Sequence, residues 1–331
     1  SELALILGLR ITHPQCSEPK VRVDRDAHGT LIYGMTESQS SPTPDPGPDL
    51  GPPLVAAPAD IELDVLARDA EAAELAPARS RIPSAPPSFF GLLPEEVEGA
   101  LVAAGWPGYR AHQVLDWVYA KRTRDPAAMS NLGKAQREQL GGIVDLTLPR
   151  IYKQVQSPKG DSVKYALELH DKARVEPVAM LSKRGVTLCV STQAGCGMAC
   201  VFCATGTLGL TRNLKADEIV AQVVHMLETT GWEDPGFNIV FMGMGEPLAN
   251  YAQTLKAINV LRADEGLRVG SRRITLSTCG MVPQMHRLAK EGLQVGLAIS
   301  LHATTDELRD RLVPINRRYP LRELVRAADF Y

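Results

Sequence analysis

The sequence predicts an α/β protein whose main domain is an unfinished barrel of parallel strands, and three observations lead there. From Val186 onward, short apolar runs alternate with helical patterns through short connections, as parallel βα units require. Between 150 and 181 the hydrophobic period is two, the period of antiparallel strands. Ahead of both lies a segment too rich in proline to build a core: 11 of the 24 prolines fall between Pro42 and Pro87.

In chain order, residues 1–87 form a tail of no legible role. Residues 36–87, with runs such as SSPTPDPGPDLGPP, are expected to be disordered. VRVDRDAHGTLIYG ahead of them suits a short hairpin with Gly29 at the turn. The opening SELALILGLR is apolar but lacks a basic flank and a cleavage site, so no secretion signal is read. No stretch approaches the roughly 18 apolar residues of a membrane span. Order is expected from about Phe89. Pro94 and Gly105 bracket the helix PEEVEGALVAA. Ala111, Val114, Leu115, Val118 and Tyr119 recur at helical spacing, and GKAQREQLGG ends at paired glycines. These make a small helical domain over 88–150, whose Lys121, Arg122, Arg124, Lys134 and Arg137 either contact phosphate or form a solvated face.

IYKQVQ, VKYALEL and VEPVAML, with SPKGD as a turn, predict an antiparallel strand extension over 151–185. The main domain, 186–331, has strands VTLCVS, NIVFMG, RRITLSTCG and QVGLAISLHA, with helices near 215–230, 251–264 and 283–291. Four strands do not close a barrel, and the sequence stops at Tyr331 inside a predicted helix, so a truncated barrel is expected. Composition is that of an ordinary globular protein, 44% hydrophobic and 22% charged. The net charge of −2 divides into 7 basic and 13 acidic side chains before residue 88 and 29 basic and 25 acidic after it. A mildly basic folded part allows RNA binding without demanding it.

Six cysteines are present, and Cys196-Gly-Met-Ala-Cys200-Val-Phe-Cys203 packs three into eight residues directly after a strand. That crowding suits a metal site in a reducing cytoplasm better than a disulfide framework. Three thiolates in one loop can hold three irons of a cubane and leave the fourth open. Structural zinc is the alternative, but it usually takes four ligands; Cys189 and His225 do not complete the usual paired spacing.

Further motifs fall at the carboxyl ends of the predicted strands, where ligands bind in α/β folds. Gly243-Met244-Gly245-Glu246-Pro247 follows the second strand, Ser277 ends the third, and Ser300, Leu301 and His302 end the fourth. Singly, each reads equally as a turn, a cap or a core residue. Glu176 lies in an edge-strand pattern beside Pro177, and Cys189 lies in a strand where a buried cysteine is unremarked.

CxxxCxxC after a first strand resembles the radical S-adenosylmethionine (SAM) signature. More narrowly, LCVSTQAGCGMACVFCATG, FMGMGEPLAN, ITLSTCGMVP and AISLHATTDELRDRLVPINRRY resemble the RlmN-type 23S rRNA adenine-C2 methyltransferases and their C8-methylating relatives, over about residues 88–331. The resemblance implies a partial (β/α)6 radical SAM barrel and a [4Fe-4S] cluster on Cys196, Cys200 and Cys203. It implies SAM contacts from Gly245, Glu246, Ser277, Ser300, Leu301 and His302, with Cys279 standing where a small residue is expected. Glu176 matches the family's proton acceptor, and Cys189 matches a cysteine that pairs in a disulfide with a methyl-carrying cysteine near the family's C-terminus. Two SAM molecules serve each transfer. The sequence ends before that carrier and the family's last SAM-contacting asparagine, so the fragment as given is expected to be inactive. Implied partners are 23S rRNA, tRNA and an electron donor such as flavodoxin or ferredoxin, around a cytoplasmic monomer with no membrane association. The alternatives are C8 methylation, or a non-catalytic metal- or RNA-binding protein.

Overall fold

A computed structural model describes residues 85–232 and 236–331 in full, and residues 22–25 and 31–34 as strands. The expectation of disorder over residues 36–87 lies outside the described residues up to 84. The chain divides into two units, Ser1–Ala59 and Asp60–Tyr331. In the first, β1 (Arg22–Arg25) pairs antiparallel with β2 (Leu31–Gly34), as the hairpin reading expects; its turn, with Gly29, is outside the described residues.

The second unit opens by tying Pro87 and Phe89 to Asp145 through backbone hydrogen bonds of 2.9 Å. Helix α1 (Pro94–Ala103) starts at its proline, and the Glu96 carboxylate accepts the Leu93 N–H. Helix α2 (Arg110–Leu115) continues as a wide turn over Asp116–Ala120 with a different hydrogen-bond step, and α3 (Lys134–Ile143) follows. Buried Phe89 and Phe90 pack this group onto the main domain.

Four of the five cations read as phosphate contacts or a solvated face are engaged within the protein. Arg124 forks onto Glu228 at 2.8 and 3.0 Å, and Arg122 donates to the Leu227 carbonyl. Arg137 donates to the Ala127 carbonyl, and Lys121 pairs with Asp116.

A single sheet then runs through the rest, in the order β12-β11-β10-β7-β6-β4-β3, with β5 beside β4. Strands β3 (Arg150–Gln156), β4 (Ser162–Glu168), β5 (Arg174–Val175) and β6 (Val178–Ser182) are antiparallel. Strand β7 (Gly185–Cys189) turns back from β6 and begins the parallel set with β10 (Phe237–Phe241), β11 (Ile274–Thr278) and β12 (Gly296–Ile299). The strand extension and the barrel strands are therefore one surface.

Helices α5 (Ala216–Thr230), α6 (Tyr251–Arg262) and α7 (Val282–Lys290) connect the parallel strands, and their apolar sides join the core. A small ribbon of β8 (Gln193–Gly195) and β9 (Leu210–Asn213), with the short helix α4 (Ala204–Thr207) between, frames the cysteine loop. Helices α8 (Asp306–Leu312) and α9 (Leu321–Phe330) follow β12. The four parallel strands are the expected partial barrel. Among the described residues no helix is long and apolar enough to cross a membrane.

Candidate active site

Parallel strands end at one edge, so whatever follows β7, β10, β11 and β12 meets there. After β7 the chain enters β8 and reaches Gly195 at φ +84°, where an added Cβ would lie 2.0 Å from the Gly209 carbonyl oxygen. That close approach lets Cys196 N–H donate to the same oxygen at 2.8 Å. The loop then folds on itself: Ala199 takes a left-handed φ of 51°, and Cys203 N–H reaches the Cys200 carbonyl at 3.0 Å. Val201 N–H bonds the Leu312 carbonyl at 3.1 Å, which ties the loop to α8.

Cys196 is buried; Cys200 and Cys203 are partly exposed. Burial pushes the Cys196 thiol up to about 12. A hydrogen bond from the Cys279 thiol holds Cys200 below the ordinary thiol range against the effect of burial, and the Arg309 charge acts in the same direction. All five described cysteines are free. The disulfide that the resemblance implies for Cys189 is therefore absent among the described residues.

The same residues test the fit of a cluster. Among the described residues no three His, Cys, Asp or Glu side chains gather closely enough to hold one metal ion, as mononuclear zinc would need. Three free thiols on one loop, one for each of three irons of a cube, are a donor set that fits a cluster.

The turn after β10 closes against the cysteine loop's root. A Cβ on Gly243 would meet the Val190 carbonyl oxygen at 2.7 Å, and one on Gly245 (φ +100°) would meet Gln193 Cβ at 2.5 Å. Met244 N–H donates to Ser191 Oγ at 3.0 Å, and Glu246 N–H to Gln193 Oε1 at 2.9 Å. The Glu246 side chain, 4% exposed, accepts N–H bonds from Leu248 (3.1 Å) and Cys279 (2.8 Å). Burial raises its pKa, and those two donors oppose the rise. Glu246 thus braces the end of β11 against the turn after β10.

Ser277 and Ser300 bring their hydroxyl oxygens to 3.3 Å. His302, at φ 59°, lays its ring 4.2 Å from the Phe202 ring and so links the end of β12 to the cysteine loop. Its pKa is lowered by burial. Leu301 is exposed, and its carbonyl accepts from Arg309.

Cys189 pairs with Val240 on one side and Val178 on the other, and burial pushes its thiol up to about 11. Residues opposed across strands share a face. Through Val240 and Thr275, Cys189 therefore lies on the face that carries Ser277 and, across β11 and β12, Ser300. Glu176 sits just before β6, exposed, with its carboxylate 2.5 Å from Lys164 Nζ. Lys164 opposes Val178, so the glutamate's partner and Cys189 lie on that same face.

Several contributors had no signal in the sequence. Arg309, 0% exposed, binds the carbonyls of Cys279 (2.6 Å), Leu301 (3.0 Å) and Ser300 (3.3 Å) and the side chain of Asn316 (2.8 Å). Gln193 and Asn250 bind the turns around Glu246 in the same way: Gln193 accepts the Glu246 N–H, and Asn250 donates to the Thr192 and Leu214 carbonyls. A charge inside DELRDRL reads as solvated, and nothing in its spacing says otherwise.

Comparison with known proteins agrees with this geometry. Residues 190–330 match the model of the radical SAM superfamily, and residues 89–146 match that of the ribosomal RNA large subunit methyltransferase N-terminal domain. The chain is 42% identical over 237 residues to a probable dual-specificity RNA methyltransferase RlmN from Dictyoglomus turgidum, covering 71% of this chain and 68% of that protein. A relative of the same name from Moorella thermoacetica is 44% identical over 247 residues, covering 73% and 70%. The crystal structure of a radical SAM methyltransferase from Sphaerobacter thermophilus superposes with a TM-score of 0.69 at 44% identity, covering 73% of this chain and 71% of that one. Radical SAM membership brings a [4Fe-4S] cluster and SAM as cofactors. With matches on both sides of the strand extension and relatives aligned over two thirds of their length, the chain belongs to the RlmN-type radical SAM RNA methyltransferases.

Proposed function

We propose that this chain carries the radical SAM part of a methyltransferase that acts on C2 of an adenine in 23S rRNA, and of tRNA, with two SAM molecules consumed per methyl group transferred. One observation supports this reading above the rest: Cys189, Ser277, Ser300 and Lys164, the partner of Glu176, share a sheet face at whose end the three-cysteine loop opens. Cys196, Cys200 and Cys203 hold the cluster, which when bound supplies the electron for reductive cleavage of SAM. The turn at Gly245 and Glu246 receives the methionine end of SAM, and Ser277, Ser300, Leu301 and His302 receive its ribose. Glu176, an exposed carboxylate paired with Lys164, takes a proton from the methylated adenine. Cys189 assists release of the product. A flavodoxin or ferredoxin supplies electrons in the cytoplasm.

Deleting the gene for this chain is expected to remove 2-methyladenosine from 23S rRNA, read by mass spectrometry of nuclease digests. Unchanged 2-methyladenosine contradicts the proposal, and loss of 8-methyladenosine instead moves the chemistry to C8.

A further inference from the structure

We propose that the RNA backbone docks on the strand extension, with Arg150, Lys153, Lys172 and Arg174 as its phosphate contacts, a proposal that rests on the RNA-methylating reading above. Residues 150–185 hold 8 basic and 4 acidic side chains, whereas residues 88–149 hold 6 and 7, and residues 186–331 hold 15 and 14. Nearly the whole positive excess of the folded part therefore lies in 36 residues. The helical domain has no such excess, and its Arg122, Arg124 and Arg137 donate to acceptors within the protein.

Glu168, 7% exposed, lies between Arg150 on β3 and Arg174 on β5, and Lys172 reaches it as well; the three contacts are 3.0, 3.2 and 3.2 Å. One carboxylate beneath three cations leaves two charges in excess, and Arg150, Lys172 and Arg174 are 66%, 80% and 47% exposed. A hydrogen bond from Lys172, joined by those from Arg150 and Arg174, holds the Glu168 carboxyl below its ordinary range despite its partial burial. Asp171 and Glu218 share Arg212, so beside the three cations this group adds a single net negative charge, less than their excess. Tyr152, exposed, lies under the Arg174 guanidinium at 3.5 Å from ring centre to carbon.

The strand β3 shifts register between Ile151 and Lys153, where Tyr152 is the extra residue. In an unbroken strand Arg150 and Lys153, three apart, would face opposite sides. With the shift, Arg150 opposes Glu168 and Lys153 opposes Ala166, so both lie on the face of Lys164. That row runs from Val155 through Lys164 and Val178 to Cys189, and Glu176 meets it at Lys164. The cations are thus continuous with the face on which the adenine is treated. A polyanion laid along them enters that face from its open edge, and RNA is the polyanion that the family acts on.

The test is RNA binding by the full chain, followed as fluorescence anisotropy of a labelled RNA stem–loop over a range of salt. The variant carrying Lys153→Gln, Lys172→Gln and Arg174→Gln is expected to bind at least about tenfold more weakly, with the slope of log affinity against log salt flatter by roughly 2. Lys153→Gln alone, on an exposed edge strand, is expected to bind a few-fold more weakly with an unchanged thermal transition, which keeps the test open if the triple variant unfolds. Lys121→Gln with Lys134→Gln in the helical domain is expected to bind as the parent does. Parent-like binding by the extension variants, or loss in the helical-domain variant instead, overturns the docking surface while leaving RNA as substrate. No binding of RNA by the parent chain overturns both.

Discussion

Replacing any one of Cys196, Cys200 and Cys203 by alanine is expected to lower iron retained after anaerobic reconstitution at least about tenfold, because a cubane held by two thiolates on one loop exposes two irons to solvent and exchange. Cys279→Ala is expected to retain iron. Its thiol lies against Cys200 and its backbone N–H serves Glu246, yet it stands at the end of β11, off the three-cysteine loop. Iron loss in the Cys279 variant equal to that in the loop variants would mean that the ligand set includes a fourth thiol. The readout is iron and sulfide per chain with the visible spectrum, so it does not depend on turnover.

Arg309→Met is expected to destabilise the fold by roughly 3–5 kcal/mol, since it strips a buried charge from acceptors with no water to replace it. Three carbonyls and the Asn316 side chain would lose their partner together. Those carbonyls belong to the segments after β11 and β12, so SAM affinity is expected to fall more steeply than iron content. Denaturant unfolding measures the first effect, and equilibrium dialysis of SAM on reconstituted protein measures the second. Arg309→Lys is expected to recover only part of either, because an ammonium lacks the planar fork that reaches several acceptors at once. Iron content falling in step with SAM affinity would make Arg309 a general core residue, with no particular role at the strand ends.

The contrast between these two predictions shows what the sequence disclosed. The cysteine trio and the βα alternation were legible because spacing alone conveys them: ligand spacing for the one, a change of hydrophobic period for the other. Arg309 was illegible because sequence pattern places charges outside, and only the fold brings four acceptors to one guanidinium. The strands Gln193–Gly195 and Leu210–Asn213 are too short to show a period, so the ribbon around the cysteines was missed. Lys121, Arg122, Arg124 and Arg137 read as an open cationic face until Asp116, the Leu227 carbonyl, Glu228 and the Ala127 carbonyl were found opposite them. The extension's alternation was visible, but the register shift at Tyr152, which turns Arg150 and Lys153 to one side, depends on pairing with β4.

In the proposed function, three thiolates grip an iron–sulfur cube and leave one iron free for SAM. Iron and sulfide analysis of the purified chain, reconstituted without oxygen and then titrated with SAM while the reduced cluster is followed by electron paramagnetic resonance, tests it most directly. About four irons and four sulfides per chain, and a spectrum that changes as SAM is added, are expected. A chain that takes up no iron, or binds stoichiometric zinc in its place, contradicts it.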